Sequence, residues 1–286
     1  KQKGFIKGAF SQYLSPTVID QIVENPDMLQ LGGEKREMTP FFSDIQGFST
    51  ISEGLTPEEL VQLLNEYLTA MCDIVSSYHG TIDKFEGDAI IAFWGAPLEL
   101  PNHATVACHA SIDMQKRNEE MRKTLREQNR PMLYTRIGMS SGPVVVGNMG
   151  SADRMDYTMM GDVVNLAARL EGVNKFYKTF TMIPQSTYEL AKDDIDTRQL
   201  DVIRVVGKKE PIPVYEVLER KNQTSSEKSG VVENYLKALK LYEERNFADA
   251  LKEFEKVLAI DQDDGPSQTY VKRCGVFLET PPEKDW

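Results

Sequence analysis

"GTIDKFEGDAIIAFWG" (Gly80–Gly95) reads as two short strand-forming runs on either side of Glu86-Gly87-Asp88, where a tight hairpin turn is the natural connection. The segment upstream opens with Thr56-Pro57-Glu58-Glu59, a capping box. Behind it Leu60, Leu63, Leu64, Tyr67, Leu68, Met71, Ile74 and Val75 recur at helical spacing. Earlier still, Met38 to Ser43 reads as a strand; Pro40 has no N–H to give a ladder and is expected at its start or at an irregularity. Downstream, a helix is expected over His103–Glu127 and a strand over Leu133–Ser140. Strand, helix, hairpin, helix, strand is the order of the split βαβ arrangement in ferredoxin-like sheets. Helical spacing resumes over Val163–Val173, and strand candidates at Phe180–Ile183, Arg198–Val206 and Val214–Val217 complete one α+β domain, an antiparallel sheet with flanking helices.

The flanks differ in character. Residues 1–33 carry helix signals, with Ser15-Pro16 ahead of Val18, Ile19, Ile22 and Val23, and are expected to form a linker helix that "LGGEKREM" (Leu31–Met38) breaks. The main domain is assigned to residues 34–220. "KNQTSSEKSG" (Lys221–Gly230) is polar and turn-rich, as a linker is. Residues 231–286 form a tail in which "YLKALKLYEERNFADALKEFEKVLAIDQDD" (Tyr235–Asp264) predicts a small helical hairpin, with Ala238, Ala248 and Ala250 at its close approach. The pattern is similar to one tetratricopeptide repeat. A single such unit cannot bury its own face, so it is expected to pack on the main domain, a second chain or a partner.

The chain has 286 residues, 41% hydrophobic and 27% charged, a globular composition long enough for a substantial core. Its formal charge of -11 argues against a nucleic-acid partner, and requires that any polyanionic ligand meet a local basic cluster or metal ions. Cys72, Cys108 and Cys274 are far apart and lack CxxC spacing, which disfavours a zinc site or disulfide framework and suits a reducing compartment. No apolar run is long enough to cross a bilayer. The basic, amphipathic opening "KQKGFIKGAF" suggests an excerpt of something longer: a cytoplasmic domain governed by an upstream sensor or membrane domain outside these residues.

"FFSDIQGFST" (Phe41–Thr50) sets Asp44 after an apolar run and just ahead of Gly47. Taken alone, Asp44 could cap a helix starting near Gln46 or sit in a polar turn. Asp88 lies at a second strand-turn junction, where an ordinary hairpin would also accept it. In a split βαβ sheet the first strand and the hairpin lie side by side, so the two carboxylates converge. Such a pair can do acid–base work or hold two divalent ions that clamp the oxygens of a phosphoryl transfer. In "RMDYTMMGDVVNLAARLEG" (Arg154–Gly172), Asn165 and Arg169 are four apart and share a helix face, while Leu166, Ala167 and Leu170 supply the packing side. An amide and a guanidinium facing a cleft suit ribose and phosphate, although Arg169 alone could equally pair with a surface acid.

Together, "FSDIQGFS", "DKFEGDAIIAFWG", "GPVVVGNMG" and "YTMMGDVVNLAARLE" resemble the class III nucleotidyl cyclases over roughly Glu34 to Val217. These enzymes make cyclic AMP or cyclic GMP from the triphosphate. The preceding helix and the repeat-like tail look like those of bacterial receptor cyclases. The resemblance implies that Asp44, Asp88 and the Ile45 carbonyl hold two divalent metal ions, Mg²⁺ or Mn²⁺, and that backbone amides along Gln46, Gly47, Phe48 and Ser49 hold the terminal phosphates. It makes Lys84 the donor to adenine N1 and puts Thr158 where an aspartate is usual, as in a lysine-threonine subgroup whose hydroxyl accepts from the adenine amine. Asn165 then orients the ribose, Arg169 stabilises charge on the α-phosphate, and Lys208, or the adjacent Lys209, meets the β- and γ-phosphates. The implied reaction is in-line attack of the ribose 3′-hydroxyl on the α-phosphorus of ATP with loss of pyrophosphate. One metal lowers the hydroxyl pKa and both stabilise the transition state. The implied assembly is a homodimer in which the metal aspartates come from one chain and Asn165 and Arg169 from the other. The competing readings are a guanylate cyclase, for which glutamate and cysteine would be expected in place of Lys84 and Thr158, and a catalytically weak nucleotide-binding scaffold that works through its tail.

Overall fold

The alternation in Phe41-Phe42-Ser43-Asp44-Ile45 orients the main sheet. In the computed structural model, which describes residues 31–151, 153–204 and 210–283 together with Ile19 and Glu24, these residues end β1 (Gly32–Ile45). Successive strand side chains face opposite ways. Phe41 and Ile45 therefore enter the main core, and Phe42 and Asp44 face the other side.

After β1 come a one-turn helix, α1 (Phe48–Glu53), then α2 (Pro57–Ser77), the hairpin of β2 (Thr81–Glu86) and β3 (Ala89–Trp94), α3 (His103–Glu127) and β4 (Thr135–Met139). A second hairpin, β5 (Gly142–Gly150) and β6 (Met155–Met160), precedes α4 (Asp162–Tyr177) and β7 (Thr181–Pro184). The short α5 (Gln185–Ala191), then β8 (Ile195–Ile203) and β9 (Ile212–Arg220), complete the sheet. Its order is β2-β3-β1-β4-β7-β9-β8. Pairing is antiparallel except between β4 and β7, which are parallel and joined by a crossover through α4. β3 lies antiparallel between β1 and β2, which is the expected split βαβ core. α2 and α3 cover one face, where Leu63, Tyr67, Met71 and Val75 meet Phe41, Ile90, Ala92, Trp94, Ile137 and Met139. The capping box that opens α2 is present: Thr56 Oγ1 accepts from the Glu59 N–H, and the Glu59 carboxylate accepts from the Thr56 N–H at 2.9 Å.

The strands depart from the sequence reading chiefly at β1 and at the second hairpin. β1 begins at Gly32 rather than Met38, and its first half pairs with β5 instead of entering the main core. Residues 32–35 are exposed and Arg36 is half-buried, so no buried alternation marks them as strand. Pro40 falls where β1 exchanges partners, after Met38↔Gly142 and before Phe41↔Met139, so its missing N–H is not required by either ladder. The β5–β6 hairpin was not predicted, since Gly142, Gly147 and Gly150 dilute its strand signal. Of the expected helix over 1–33, Ile19 and Glu24 are described and helical, Gly32 and Gly33 already belong to β1, and the remainder up to residue 30 lies outside the described residues.

The stretch read as a linker over 221–230 is helical from Ser226: α6 (Ser226–Glu243) starts behind Ser225, whose Oγ accepts from the Lys228 N–H at 3.2 Å. α6 and α7 (Phe247–Ile260) form the expected hairpin, and a third helix, α8 (Gly265–Glu279), follows it. α6 and α8 pack on the main domain, and α7 packs across the two of them. One core joins Leu166, Leu170, Tyr177, Leu200 and Val214 to Tyr235, Ala238, Phe254 and Tyr270.

A buried charge crosses this junction. Arg198 of β8, 1% exposed, reaches Glu216 at 2.6 Å and the fully buried Asp264 at 2.7 Å, and its guanidinium lies 4.8 Å from the centre of the Tyr235 ring. Burial alone would raise the Asp264 pKa; the Arg198 charge, the Ser267 hydrogen bond and Lys228 outweigh it and hold the carboxyl below its ordinary 3.8. Asp264→Ala is expected to lower the unfolding free energy by about 3 kcal/mol in urea titrations, because it strips a buried guanidinium of one of its two carboxylates. A depressed carboxyl pKa stabilises the fold fully above the unfolded value and loses that contribution as pH falls through the folded one. The gap between wild type and variant should therefore be full above pH 3.8 and narrow in more acid solution.

Candidate active site

Asp44 and Arg136 are register partners on β1 and β4, and side chains directly opposite in an antiparallel pair interact. The Arg136 guanidinium donates to Asp44 Oδ2 at 2.9 Å and to Glu171 Oε1 of α4 at 2.8 Å. Its side chain is 14% exposed, so this bridge is shielded from solvent far more than a surface pair. Asp88, in the β2–β3 turn, accepts from the Ile45 N–H at 2.9 Å, which pins its carboxylate beside the end of β1. Burial pushes the Asp88 carboxyl up to about 6, and repulsion from Asp44 adds to the rise against the Ile45 hydrogen bond. The two aspartates converge as the topology requires. Asp44 caps no helix, because the N-cap of α1 is Gly47 and no side chain bonds there.

The turn behind them is built on one left-handed residue. Gly47 has φ 69°, a conformation that an L side chain resists, although the space around it is open. From there α1 begins, and the N–H groups of its first turn, Phe48, Ser49 and Thr50, have no partner within the helix. Gln46 differs from the expectation: its N–H donates to the Tyr134 carbonyl at 2.7 Å and is engaged in holding the turn against the approach to β4. Beside the turn, Gln46, Arg136, Lys175 and Lys178 help to line a cavity of about 420 Å³, which gathers cationic side chains in an acidic chain.

α4 lies against β4 because Gly138 has no side chain. A Cβ there would come within 2.1 Å of the Glu171 backbone nitrogen and 2.3 Å of the Ala167 carbonyl oxygen. Asn174, fully buried, fastens the same contact by donating to the Ile137 carbonyl at 2.9 Å. Glu171 thus reaches Arg136. Arg169 lies about 200° away around the helix, and Asn165 shares its face; both are exposed and have no side-chain partner among the described residues. Lys84 and Thr158 meet elsewhere, around a residue that the sequence reading passed over. Thr158 Oγ1 donates to Asp83 Oδ2 at 2.5 Å, and Lys84 Nζ stands 3.5 Å from Asp83 Oδ1. Lys208 and Lys209 lie outside the described residues.

Residues 33–218 match the family model of the adenylate and guanylate cyclase catalytic domain. The chain belongs to that family. Over 209 residues, 73% of its length, it is 35% identical to adenylate cyclase 1 of Rhizobium meliloti (strain 1021), of which the match covers 31%. Among solved structures, the adenylyl cyclase CyaB from P. aeruginosa is similar at 38% identity with a TM-score of 0.63, covering 68% of this chain and 100% of that one. The guanylyl cyclase Cya2 is similar at 34% identity and a TM-score of 0.62, covering 68% of this chain and 97% of that one. The chain spans less than half the length of the curated cyclases that it matches.

The divalent cations that the cyclase family implies fit the donors present. Two carboxylates and a strand-end carbonyl are hard oxygen ligands, and a cation between the aspartates would relieve the repulsion that adds to the effect of burial on Asp88. Among the described residues no cluster of three or more His, Cys, Asp or Glu side chains forms a metal cage. An incomplete shell of this kind suits an ion such as Mg²⁺, which keeps water and takes phosphate oxygens. In this domain the placement of α4 is the geometric demand easiest to break. Gly138→Ala is expected to cost about 3 kcal/mol in urea denaturation, since only backbone could yield. Gly172→Ala on the same helix, where a Cβ meets nothing within 4 Å, should be neutral or stabilise by up to about 1 kcal/mol.

Proposed function

We propose that this domain is an adenylate cyclase of the lysine-threonine subgroup, converting ATP to 3′,5′-cyclic AMP and pyrophosphate at sites shared between two copies of the chain. The observation that carries this reading is the orientation of α4. Its Glu171 turns inward to the Arg136–Asp44 bridge, while Asn165 and Arg169 face out, away from the carboxylates of their own chain. A second copy supplies what is missing: its Asp44 and Asp88 opposite this Asn165 and Arg169.

In this arrangement Lys84 donates to adenine N1 and Thr158 accepts from the exocyclic amine. Asn165 holds the ribose so that its 3′-hydroxyl lines up with the α-phosphorus. Arg169 stabilises the charge that grows on the α-phosphate oxygens, the task of a fixed cation in phosphoryl transfer. Phosphate oxygens lie along the amides that follow Gly47, with Lys208 assigned to the same group. Asp44, Asp88 and the Ile45 carbonyl would hold Mg²⁺ or Mn²⁺, which when bound lowers the pKa of the hydroxyl and offsets phosphate charge. The tail packs through apolar side chains onto the far half of the sheet. Its part in this reading is to support domain geometry.

Product formation from ATP and GTP, with Mg²⁺ and with Mn²⁺, on protein of known dimer fraction tests the reaction; cyclic AMP from ATP is expected, and a verified dimer making no cyclic nucleotide from either would overturn it. Arg169→Ala should lower kcat by about 10²- to 10³-fold, and Asp44→Ala should abolish turnover in a folded dimer. Mixing the two inactive variants tests the sharing. Half of a random mixture is heterodimer with one intact site of two, so about one quarter of wild-type turnover should return; no recovery despite subunit exchange would place each site within one chain.

A further inference from the structure

Asp83 has no part in the reading given above, yet both base-contacting candidates touch it. Its side chain is 3% exposed, it accepts the Thr158 hydroxyl proton at 2.5 Å, and its other oxygen faces the Lys84 ammonium at 3.5 Å. The Thr158 bond joins β2 to β6, strands that do not pair with each other. Burial pushes the Asp83 carboxyl up, and Thr158 and Lys84 act against that rise.

A threonine hydroxyl has one proton and two lone pairs, so by itself it can donate or accept. A carboxylate offers only lone pairs. We propose that Asp83 is a specificity-determining positioning residue: by taking the Thr158 proton it leaves that hydroxyl able only to accept, and so selects adenine over guanine. The exocyclic amine of adenine donates and its N1 accepts, which matches an acceptor at Thr158 and a donor at Lys84. Guanine presents O6, an acceptor, and N1–H, a donor, and is opposed at both positions. Were Asp83 absent, the hydroxyl could rotate and donate to O6, and half of the discrimination would disappear. The carboxylate that the family more often carries at position 158 is in this chain set back by one hydroxyl. The inference rests on the assignment of Lys84 and Thr158 as base contacts.

The test measures kcat/KM for ATP and GTP, and Kd for both by calorimetry, on wild type, Asp83→Ala, Thr158→Val and the double variant. Asp83→Ala is expected to lower the ATP-to-GTP ratio at least about tenfold, with the loss falling on ATP and GTP unchanged or improved. Thr158→Val should lower the ratio too, and in its background Asp83→Ala should change it less than about twofold, as expected of a residue that acts through Thr158. If Asp83→Ala does not fold, Asp83→Leu fills the site without any acceptor for the Thr158 proton, and the same loss of ratio is expected. An equal fall for both nucleotides, an unchanged ratio, or an undiminished effect in the Thr158→Val background overturns the proposal while the base-contact assignment stands. A ratio unmoved by Thr158→Val overturns that assignment, and this inference with it.

Discussion

Arg136 between Asp44 and Glu171 is the constraint on which the site depends. One planar guanidinium meets two carboxylates from different elements, a geometry that its fork of donors suits and a lysine could not copy. The bridge couples the end of β1, the start of β4 and the middle of α4. It also divides the labour between the aspartates. Asp44 has a cation beside it, while Asp88 has a backbone N–H and a negative neighbour, and burial above all drives the Asp88 carboxyl upward. Because Arg136 is shared with Glu171, its single charge leaves the strand end net negative at the turn where phosphate and cation would meet.

Much of this scaffold was legible because local signals agreed. The capping box at Thr56 and the Gly87 turn each carry their own local chemistry, and with the helix over His103–Glu127 their order yields the split βαβ core. What escaped notice lacked a local signal. The first half of β1 buries almost nothing, so no period of two could mark it, and the β5–β6 hairpin hides behind glycines. The third tail helix was readable in principle: Asp264 as cap with Pro266 in the first turn is a start signal, standing just past the hairpin pattern.

Among the site residues, Asp44, Asp88, Asn165 and Arg169 could be picked out by type and spacing, and the structure brings the first two together and turns the last two outward. Arg136 could not, since its partner is set by cross-strand register, and Asp44↔Arg136 spans 92 residues. Asp83 stood beside Lys84 in plain view. Its significance depends on Thr158, 75 positions away on a hairpin whose glycines mask its strand signal. Gln46 shows the converse, because a residue placed correctly in the turn has its amide already engaged with Tyr134.

The shared core beneath the tail alters what counts as one unit of folding. Leu166, Leu170 and Tyr177 of α4 lie in the same cluster as Tyr235, Phe254 and Tyr270, whereas the residues that α2 and α3 cover form another. Cooperative opening follows buried contacts rather than chain order. The seam of least resistance therefore follows the sheet itself, between the face under α2 and α3 and the face under α4 and the tail, and not the polar stretch near residue 221. Slow amide exchange in α4 would report on the integrity of helices that begin some fifty residues after it ends.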